Sequence, residues 1–288
     1  MNTQPPSPPR PPRPARPNES RQGTPRRRRR GTPSPQPAQH AGTGAPLPAP
    51  SDTLLCIPAF NEERRLPETL KELLPLLPSG CDVLVVDDGS SDATRDAARQ
   101  AGVRCLILPV HLGYGGALQT GYKYALERGY AHLIQFDADG QHDPASLPDL
   151  LRPLRAGEAD FVIGNRFHAG SSYRSPFLRE VGRRFFAGIC RLLSGFDLND
   201  PTSGFKGFNR TTLRLLSRDG FPMDYPDADV FMMLHYAGIR IREVDVLMRP
   251  PREEGSMHTG LFHPARYLAK MLLSIFMTIL RHLGGSHG

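Results

Sequence analysis

The sequence of 288 residues has few cysteines, and they lack the spacings found in metal-binding or redox sites. The four are Cys56, Cys81, Cys105 and Cys190, and no two of them form a CxxC pair. Three lie in or beside short apolar runs. This pattern argues against a disulfide framework and predicts buried free thiols in a protein from a reducing compartment.

A hydrophobic run long enough to cross a bilayer is also lacking. The most apolar stretch is residues 263–283, whose uncharged core from Met271 to Leu280 holds ten residues. As a helix this core would be about 15 Å long, half of the roughly 30 Å that a bilayer requires. We therefore expect no transmembrane helix. Basic and aromatic flanking residues favour a helix in the headgroup plane, and residues 176–193 could form a second one; the alternative is ordinary packing against a sheet.

Acidic and apolar side chains are scarce in the first 50 residues, which hold 15 of the 30 prolines, nine arginines and one acid, Glu19. Such a segment cannot offset its ordering entropy, so we expect residues 1–51 to be disordered. The run Arg26–Arg30 is either a solvated arm or a contact for anionic lipid or nucleic acid. Without the tail, 27 basic residues face 28 acidic ones, so we expect the folded part not to bind nucleic acid.

From residue 53 onward, short apolar runs alternate with amphipathic segments. The strand-like runs begin at Thr53, Asp82, Val103 and Ala131. Continuous apolar strands between helices are typical of a parallel sheet that is covered on both faces. The sequence thus predicts an α/β fold with a doubly wound, mostly parallel, Rossmann-like sheet. Ligands of such sheets bind beyond the carboxyl ends of the strands.

Polar residues follow three of these strands: Asn61 and Glu62 the first, Asp87 and Asp88 the second, Asp137 and Asp139 the fourth. In the last case DADGQH puts Asp137, Asp139 and Gln141 at alternate positions, which in extended chain would share one face. Oxygen ligands of this kind suit Mg²⁺ or Mn²⁺; the alternative is an acidic turn. We expect His111 and His142 to be structural rather than metal ligands.

The glycine-rich segment 111–121 excludes two common phosphate-binding classes. It lacks GxGxxG and GxxxxGK[ST], so a dinucleotide-binding or ATPase function is weakly supported. Its glycines instead indicate a close approach of the backbone, either to a ligand or to a strand.

Six motifs, in order, resemble those of inverting family 2 glycosyltransferases with the GT-A fold: IPAFNEE, VVDDGSSDAT, LGYGGALQTGYKYA, QFDADGQHDP, IGNRF and DPTSGFKGFNR. The pattern is most similar to bacterial polyprenyl-phosphate sugar transferases related to dolichol-phosphate mannosyltransferase. The resemblance implies a GT-A domain over 52–250, then an acceptor loop and an amphipathic C-terminal helix over 251–288. It implies sugar transfer from a nucleotide-sugar of the GDP-mannose or UDP-hexose type to polyprenyl phosphate. The enzyme would be cytoplasmic and peripheral on the inner face of the cell membrane.

The same resemblance implies roles for single residues. The donor-binding set would be Pro58, Phe60, Glu62, Asp87, Asp88, Asp137 and Arg166. Asp137, Asp139 and Gln141 would hold the metal at the diphosphate, with Asp139 also counted as catalytic. Phe60 replaces the usual Tyr but keeps a stacking face. Arg252 lies, with Gly255, Ser256 and His258, in the segment that matches the mobile acceptor loop, although its spacing departs from the family's pattern.

The nature of the acceptor decides whether a general base is needed. A lipid phosphate is largely ionised at neutral pH, since its second pKa is about 6, and needs no strong base. The alternative acceptor is a saccharide hydroxyl, as in cell-wall or exopolysaccharide synthesis. It would need a carboxylate as base, and Asp227 or Asp229 is the candidate; simple capping of a helix is the alternative explanation for both. A nonenzymatic module binding nucleic acid or membrane is the hypothesis from another class.

Overall fold

The structure is a computed structural model, and it describes residues 51–168, 177–219, 221 and 228–249. Several predicted features lie outside these residues: the N-terminal tail, Asp227, Arg252 with the acceptor loop, and the C-terminal helix. None of the helices within the described ranges has the combination of length and apolarity that spanning a bilayer demands.

Seven strands and seven helices make up the described part of the chain. The strands are β1 Thr53–Ala59, β2 Cys81–Asp87, β3 Arg104–Ile107, β4 His132–Gln135, β5 Phe161–Asn165, β6 Lys206–Asn209 and β7 Ile241–Asp245. The helices are α1 Arg65–Leu73, α2 Thr94–Gln100, α3 Tyr114–Arg128, α4 Leu147–Arg155, α5 Phe177–Ser194, α6 Arg210–Leu216 and α7 Ala228–Tyr236. Short 3-10 helices follow α1 at Leu74–Leu76 and precede α4 at Pro144–Ser146.

The strands form one sheet in the order β3-β2-β1-β4-β6-β5-β7. β6 runs antiparallel to β4 and β5, whereas the other neighbours are parallel. The chain leaves β1 towards β2 and β3, then returns to place β4 on the opposite side of β1. The doubly wound prediction is confirmed, and the order reverses between β1 and β4, where such sheets bind their ligands.

The sheet is buried on both faces because side chains of each strand alternate between two cores. In β1, Leu54 and Cys56 belong to the core beneath α3, while Leu55 and Ile57 belong to the core beneath α1 and α4. The four cysteines are thiols rather than disulfides, as expected, and all but the half-buried Cys105 are buried.

The sequence pattern did not predict α4 and α6. Helix α4 contains Pro148 and Pro153, which ordinarily argue against a helix, but the first lies in the opening turn and the second near the end. Its leucines are all buried against the sheet, so packing outweighs the cost of the prolines. Helix α6 has only seven residues and begins directly after β6, with the Asn209 side chain accepting from Thr212 N as its cap.

Candidate active site

A cavity of about 220 Å³ lies where β4 and β5 end. Because β6 is antiparallel to both, its first residue reaches the same edge, and Lys206 pairs with Gln135 of β4. The cavity therefore has an acidic wall, from the chain after β4, and a basic wall, from the chain before β6 and after β5.

The acidic wall contains Asp137, Asp139 and Gln141, so the structure brings together the three predicted metal ligands. The expected backbone was wrong, since residues 138–139 form a turn rather than extended chain. Inside the turn, Gln141 N donates to Asp139 Oδ1 over 2.9 Å, and the Gln141 side-chain amide donates to Asp139 Oδ2. Local hydrogen bonds, not strand alternation, therefore bring these side chains together.

Asp137 is held by a relay of side chains from α3 and β4. Tyr114 donates its hydroxyl to Asp137 Oδ1 over 2.9 Å and accepts from Gln135 Nε2 over 2.7 Å. The fully buried Tyr122 donates in turn to Gln135 Oε1 over 3.1 Å. A β-carbon at Gly204 would stand 2.5 Å from Asp137 Oδ2, so only glycine leaves room for this carboxylate.

The electrostatics of the acidic wall suit a divalent cation. Burial raises the pKa of Asp137, against the effect of its hydrogen bond from Tyr114 and of the nearby Lys206. Burial also raises the pKa of Asp139, and the charge of Asp137 adds to this shift. A cation would relieve the repulsion between the two half-buried carboxylates. Two carboxylates and an amide oxygen, completed by substrate phosphate oxygens, fit the way proteins hold Mg²⁺.

His142, expected to be structural, is held by contacts with the protein itself. It is buried, its Nδ1 accepts from Asp137 N over 3.0 Å, and its ring stacks on Phe205 with centroids 4.4 Å apart. Burial lowers the pKa of this imidazole to about 4, so it is neutral at physiological pH. Its ring therefore fixes the backbone at the start of the acidic turn.

Arg166, one of the expected donor-binding residues, lines the basic wall, and its guanidinium is also paired. Two of its nitrogens donate to the fully buried Asp200, over 2.6 and 2.8 Å, and one donates to Thr202 Oγ1 over 3.0 Å. A bidentate pair of this kind holds the segment before β6 in place. Arg166 thus shapes the cavity as well as lending it positive charge.

Sequence reasoning missed Lys206, Tyr114 and the hydroxyls of Thr202 and Ser203, all of which line the cavity. The signal for Lys206 was available, because it is a cation between the two Gly and Phe pairs of DPTSGFKGFNR. It is almost fully buried. A buried lysine needs a compensating charge, and the charge of Lys206 opposes the rise that burial causes in the pKa of Asp137.

Five of the expected donor-binding residues are not in the lining of the cavity but lie at the ends of β1 and β2 or just beyond them: Pro58, Phe60, Glu62, Asp87 and Asp88. Pro58 is in β1, and Phe60 directly follows it. Glu62 pairs with Arg65 over 2.7 Å; burial raises the pKa of Glu62, and the charge of Asp139 adds to the shift. The charge of Asp139, which follows β4, therefore acts on Glu62, which follows β1, across the place where the strand order reverses.

Asp87 and Asp88 are both buried at the end of β2. Asp87 Oδ1 accepts from Ser90 N over 3.0 Å, and Oδ2 lies 3.6 Å from Arg95 Nε. Asp88 accepts from Leu112 N over 2.7 Å and from Gly113 N over 2.9 Å. Asp88 therefore fixes the glycine-rich segment against β2.

The proposed general bases are not part of the described site. Asp229 lies in the first turn of α7, but its side chain lies outside the described residues, as do Asp227 and Arg252. Their roles in acceptor activation stay predictions.

The family model for glycosyl transferase family 2 matches residues 54–216. Undecaprenyl-phosphate mannosyltransferase of Micrococcus luteus is 37% identical over 199 residues, covering 67% of this chain and 81% of that protein. Polyprenol monophosphomannose synthase of Mycolicibacterium smegmatis is 34% identical over 168 residues, covering 56% of this chain and 63% of that protein.

Among solved structures, glucosyl-3-phosphoglycerate synthase of Mycobacterium tuberculosis, in complex with Mn²⁺ and UDP-glucose, has the same fold. The TM-score is 0.59 at 24% identity, with 78% of this chain and 79% of that chain covered. The family match covers more than half of the chain and includes the strands that build the cavity. This chain therefore belongs to glycosyl transferase family 2, with the GT-A fold, and is a glycosyltransferase.

Proposed function

We propose that this enzyme moves a sugar from a nucleotide-sugar to the phosphate of a polyprenyl phosphate, with inversion at the anomeric carbon. The main support is the 37% identity to an undecaprenyl-phosphate mannosyltransferase, of which the alignment covers 81%. The donor would be of the GDP-mannose or UDP-hexose type.

The size of the cavity suggests how the donor is divided over the site. Pockets for drug-sized ligands are roughly 300–1,000 Å³. The present cavity, at about 220 Å³, is too small for a whole nucleotide-sugar. We assign it to the diphosphate and the sugar, and we assign the base and ribose to Pro58, Phe60, Glu62, Asp87 and Asp88.

Asp137, Asp139 and Gln141 would hold Mg²⁺ or Mn²⁺ at the diphosphate. When bound, such an ion neutralises the negative charge that grows on the leaving nucleotide diphosphate. The chain's own cations, Arg166 and Lys206, face the same cavity and favour a diphosphate electrostatically. We therefore count Asp139 among the catalytic residues, through the ion that it would bind.

The acceptor oxygen would attack the anomeric carbon on the face opposite the leaving group. A lipid phosphate arrives already ionised, so the chain has to position it rather than deprotonate it. We assign this positioning to Arg252 of the acceptor loop. Only a hydroxyl acceptor would require Asp227 or Asp229 as a base.

Helix α5 supports a location at the membrane surface. Phe185 and Leu192 are seven residues apart and share one face, and their exposed fractions are 50% and 84%. Arg184 and Arg191 are exposed beside them, while Phe186 and Cys190 are buried on the opposite face. Apolar side chains flanked by arginines suit the interface of an anionic bilayer. We propose a peripheral protein on the cytoplasmic face of the cell membrane.

The decisive experiment is sugar transfer from radiolabelled GDP-mannose, UDP-glucose and UDP-N-acetylglucosamine to undecaprenyl phosphate in vesicles, with Mg²⁺ or Mn²⁺. The wild-type chain is compared with Asp139→Asn, which keeps the side-chain shape but loses the charge. We expect label in organic-extractable lipid with one donor, and loss of it in the variant.

Two other results would change the assignment. Hydrolysis of a donor without lipid product would point to a hydroxyl acceptor and make Asp227 and Asp229 the next residues to test. If Asp139→Asn transfers sugar to lipid as well as wild type does, the assignment of Asp139 to a metal site is contradicted.

A further inference from the structure

The Phe60 ring, at the end of β1, is covered by an imidazole from the glycine-rich segment. The rings of Phe60 and His111 are stacked, with centroids 3.9 Å apart and an angle of 29° between their planes. Half of the His111 side chain remains exposed, with an exposed fraction of 52%. No third ring fits between two rings at this distance, so a ligand that stacks on this face of Phe60 has to move His111 away.

The same imidazole also lies against Asp88. Nδ1 of His111 is 2.9 Å from Asp88 Oδ2, and the Asp88 side chain is only 3% exposed. Asp88 also accepts from Leu112 N and Gly113 N. The carboxylate therefore stays hydrogen-bonded when the imidazole leaves, so the site can open without leaving a buried charge unpaired.

The backbone beneath His111 is docked tightly enough to hold this arrangement. A β-carbon at Gly89 would stand 3.0 Å from His111 N and 3.1 Å from Val110 C, and Gly89 has a φ of +74°. The segment thus rests directly on the end of β2. Movement at this point is most easily confined to the His111 side chain, which is half-exposed.

The imidazole of His111 is a flat heteroaromatic ring that stacks on the phenyl ring of Phe60. One of its ring nitrogens lies at the buried carboxylate of Asp88. A nucleobase with a ring N–H, such as uracil or guanine, would make the same two contacts. We propose that His111 occupies the base position of the donor-free enzyme and that the donor's base displaces it. The inference rests on the proposed function, since it takes Phe60 and Asp88 as the base site.

His111 is then a residue that sets donor affinity through competition. The bound state is reached only by the fraction of molecules in which His111 has left Phe60, so its removal should tighten nucleotide binding. An aromatic pair of this kind corresponds to roughly a two- to tenfold change in affinity. A histidine that formed the second wall of the base site would have the opposite effect.

The test is calorimetric titration of the full-length chain with UDP and GDP in the presence of Mg²⁺. We expect His111→Ala to bind the preferred nucleotide roughly two- to tenfold more tightly than wild type. His235→Ala is the matched control, because His235 lies on α7 with its ring against Phe196 and Tyr236. Unchanged or weaker binding by His111→Ala would overturn the inference.

A second readout follows the imidazole itself. In nuclear magnetic resonance spectra of histidine-labelled protein, the His111 signal is the one that is missing from the spectrum of His111→Ala. We expect stacking on Phe60 to shift this signal, and we expect addition of UDP or GDP to move it to the position it has in ligand-free Phe60→Ala. If addition of the nucleotide does not move the His111 signal, displacement of His111 by the base is contradicted.

The two proposals fail in different ways. If wild type binds neither UDP nor GDP, or if Phe60→Ala binds as well as wild type, the proposed base site is wrong and the inference falls with it. If wild type binds and Phe60→Ala weakens binding, but His111→Ala does not tighten it, only the displacement of His111 is wrong.

Discussion

At the scale of single residues, the site depends on one glycine as much as on its carboxylates. Gly204 stands where a β-carbon would contact Asp137 Oδ2 at 2.5 Å, and no positive φ requires a glycine at this position. Space for the Asp137 carboxylate is therefore the reason for glycine. The residue belongs to the segment held by the ion pair of Arg166 and Asp200, which keeps that space open.

We predict that Gly204→Ala lowers the affinity for Mn²⁺, measured by electron paramagnetic resonance in the presence of UDP, by roughly tenfold. The added methyl group has to push Asp137 out of position. Changes to residues that support a metal ligand typically lower the affinity for the metal by roughly 10- to 100-fold. Gly188→Ala is the control, since nothing lies within 4 Å of its β-carbon. Equal affinities of the two variants would contradict the assignment of Asp137.

At the scale of secondary structure elements, Gly121 leaves room for the contact between α3 and β1. A β-carbon there would stand 2.2 Å from the sulfur of Cys56, which is fully buried in β1. The approach matters for the site, because α3 begins at Tyr114, whose hydroxyl holds Asp137.

We predict that Gly121→Ala destabilises the protein by about 1–3 kcal/mol, measured by urea unfolding. Alanine is the better helix former by about 1 kcal/mol, so the steric contact has to outweigh this gain. In the double variant with Cys56→Ala, the new methyl group takes space vacated by the sulfur, and we expect part of the stability to return. A Gly121→Ala variant as stable as wild type would mean that α3 can shift freely.

Helix α5 gives a second prediction at this scale. Replacing both Phe185 and Leu192 by serine removes the exposed apolar side chains, and we expect sedimentation with anionic vesicles to fall about tenfold or more. Binding of UDP or GDP in solution should stay as in wild type. Leu76→Ser, which removes an apolar side chain that is 54% exposed elsewhere, is the control. Equal loss of vesicle binding in the control would speak against a specific role for α5.

At the scale of the whole molecule, a half-buried histidine couples stability to pH. His132 begins β4, and within the described residues its Nδ1 has no hydrogen-bond partner. Burial lowers the pKa of His132 below its usual 6.5. The unfolded chain therefore takes up a proton at a higher pH than the folded one, so the folded state loses stability as the pH falls below about 6.5.

We predict that the free energy of unfolding of wild type falls more steeply between about pH 7.5 and about pH 5.5 than that of His132→Gln. The difference should not exceed about 1 kcal/mol, because the ring keeps part of its hydration. Urea unfolding followed by circular dichroism at both pH values measures it. If the free energies of unfolding of the two proteins change equally with pH, His132 has the same pKa in the folded and the unfolded state.

Much of the architecture followed from local patterns. Apolar runs between amphipathic helices predicted the doubly wound sheet, and acids at the strand ends predicted which edge carries the site, because carboxyl ends of parallel strands meet. Asp137, Asp139 and Gln141 all fall within residues 137–141, so their proximity was readable even though the expected backbone conformation was wrong. Helix α4 was missed because its prolines obscured a helix that packing stabilises.

The amino-acid sequence alone therefore determined the fold class, the family motifs and the acidic half of the cavity. Tertiary structure decided the rest: that antiparallel β6 carries Lys206 to the acidic edge, that Gly204 borders Asp137, and that His111 covers Phe60. These contacts join residues far apart in the chain. They depend on the order and direction of the strands, which local propensity does not encode, whereas the strands and turns depend on neighbouring residues.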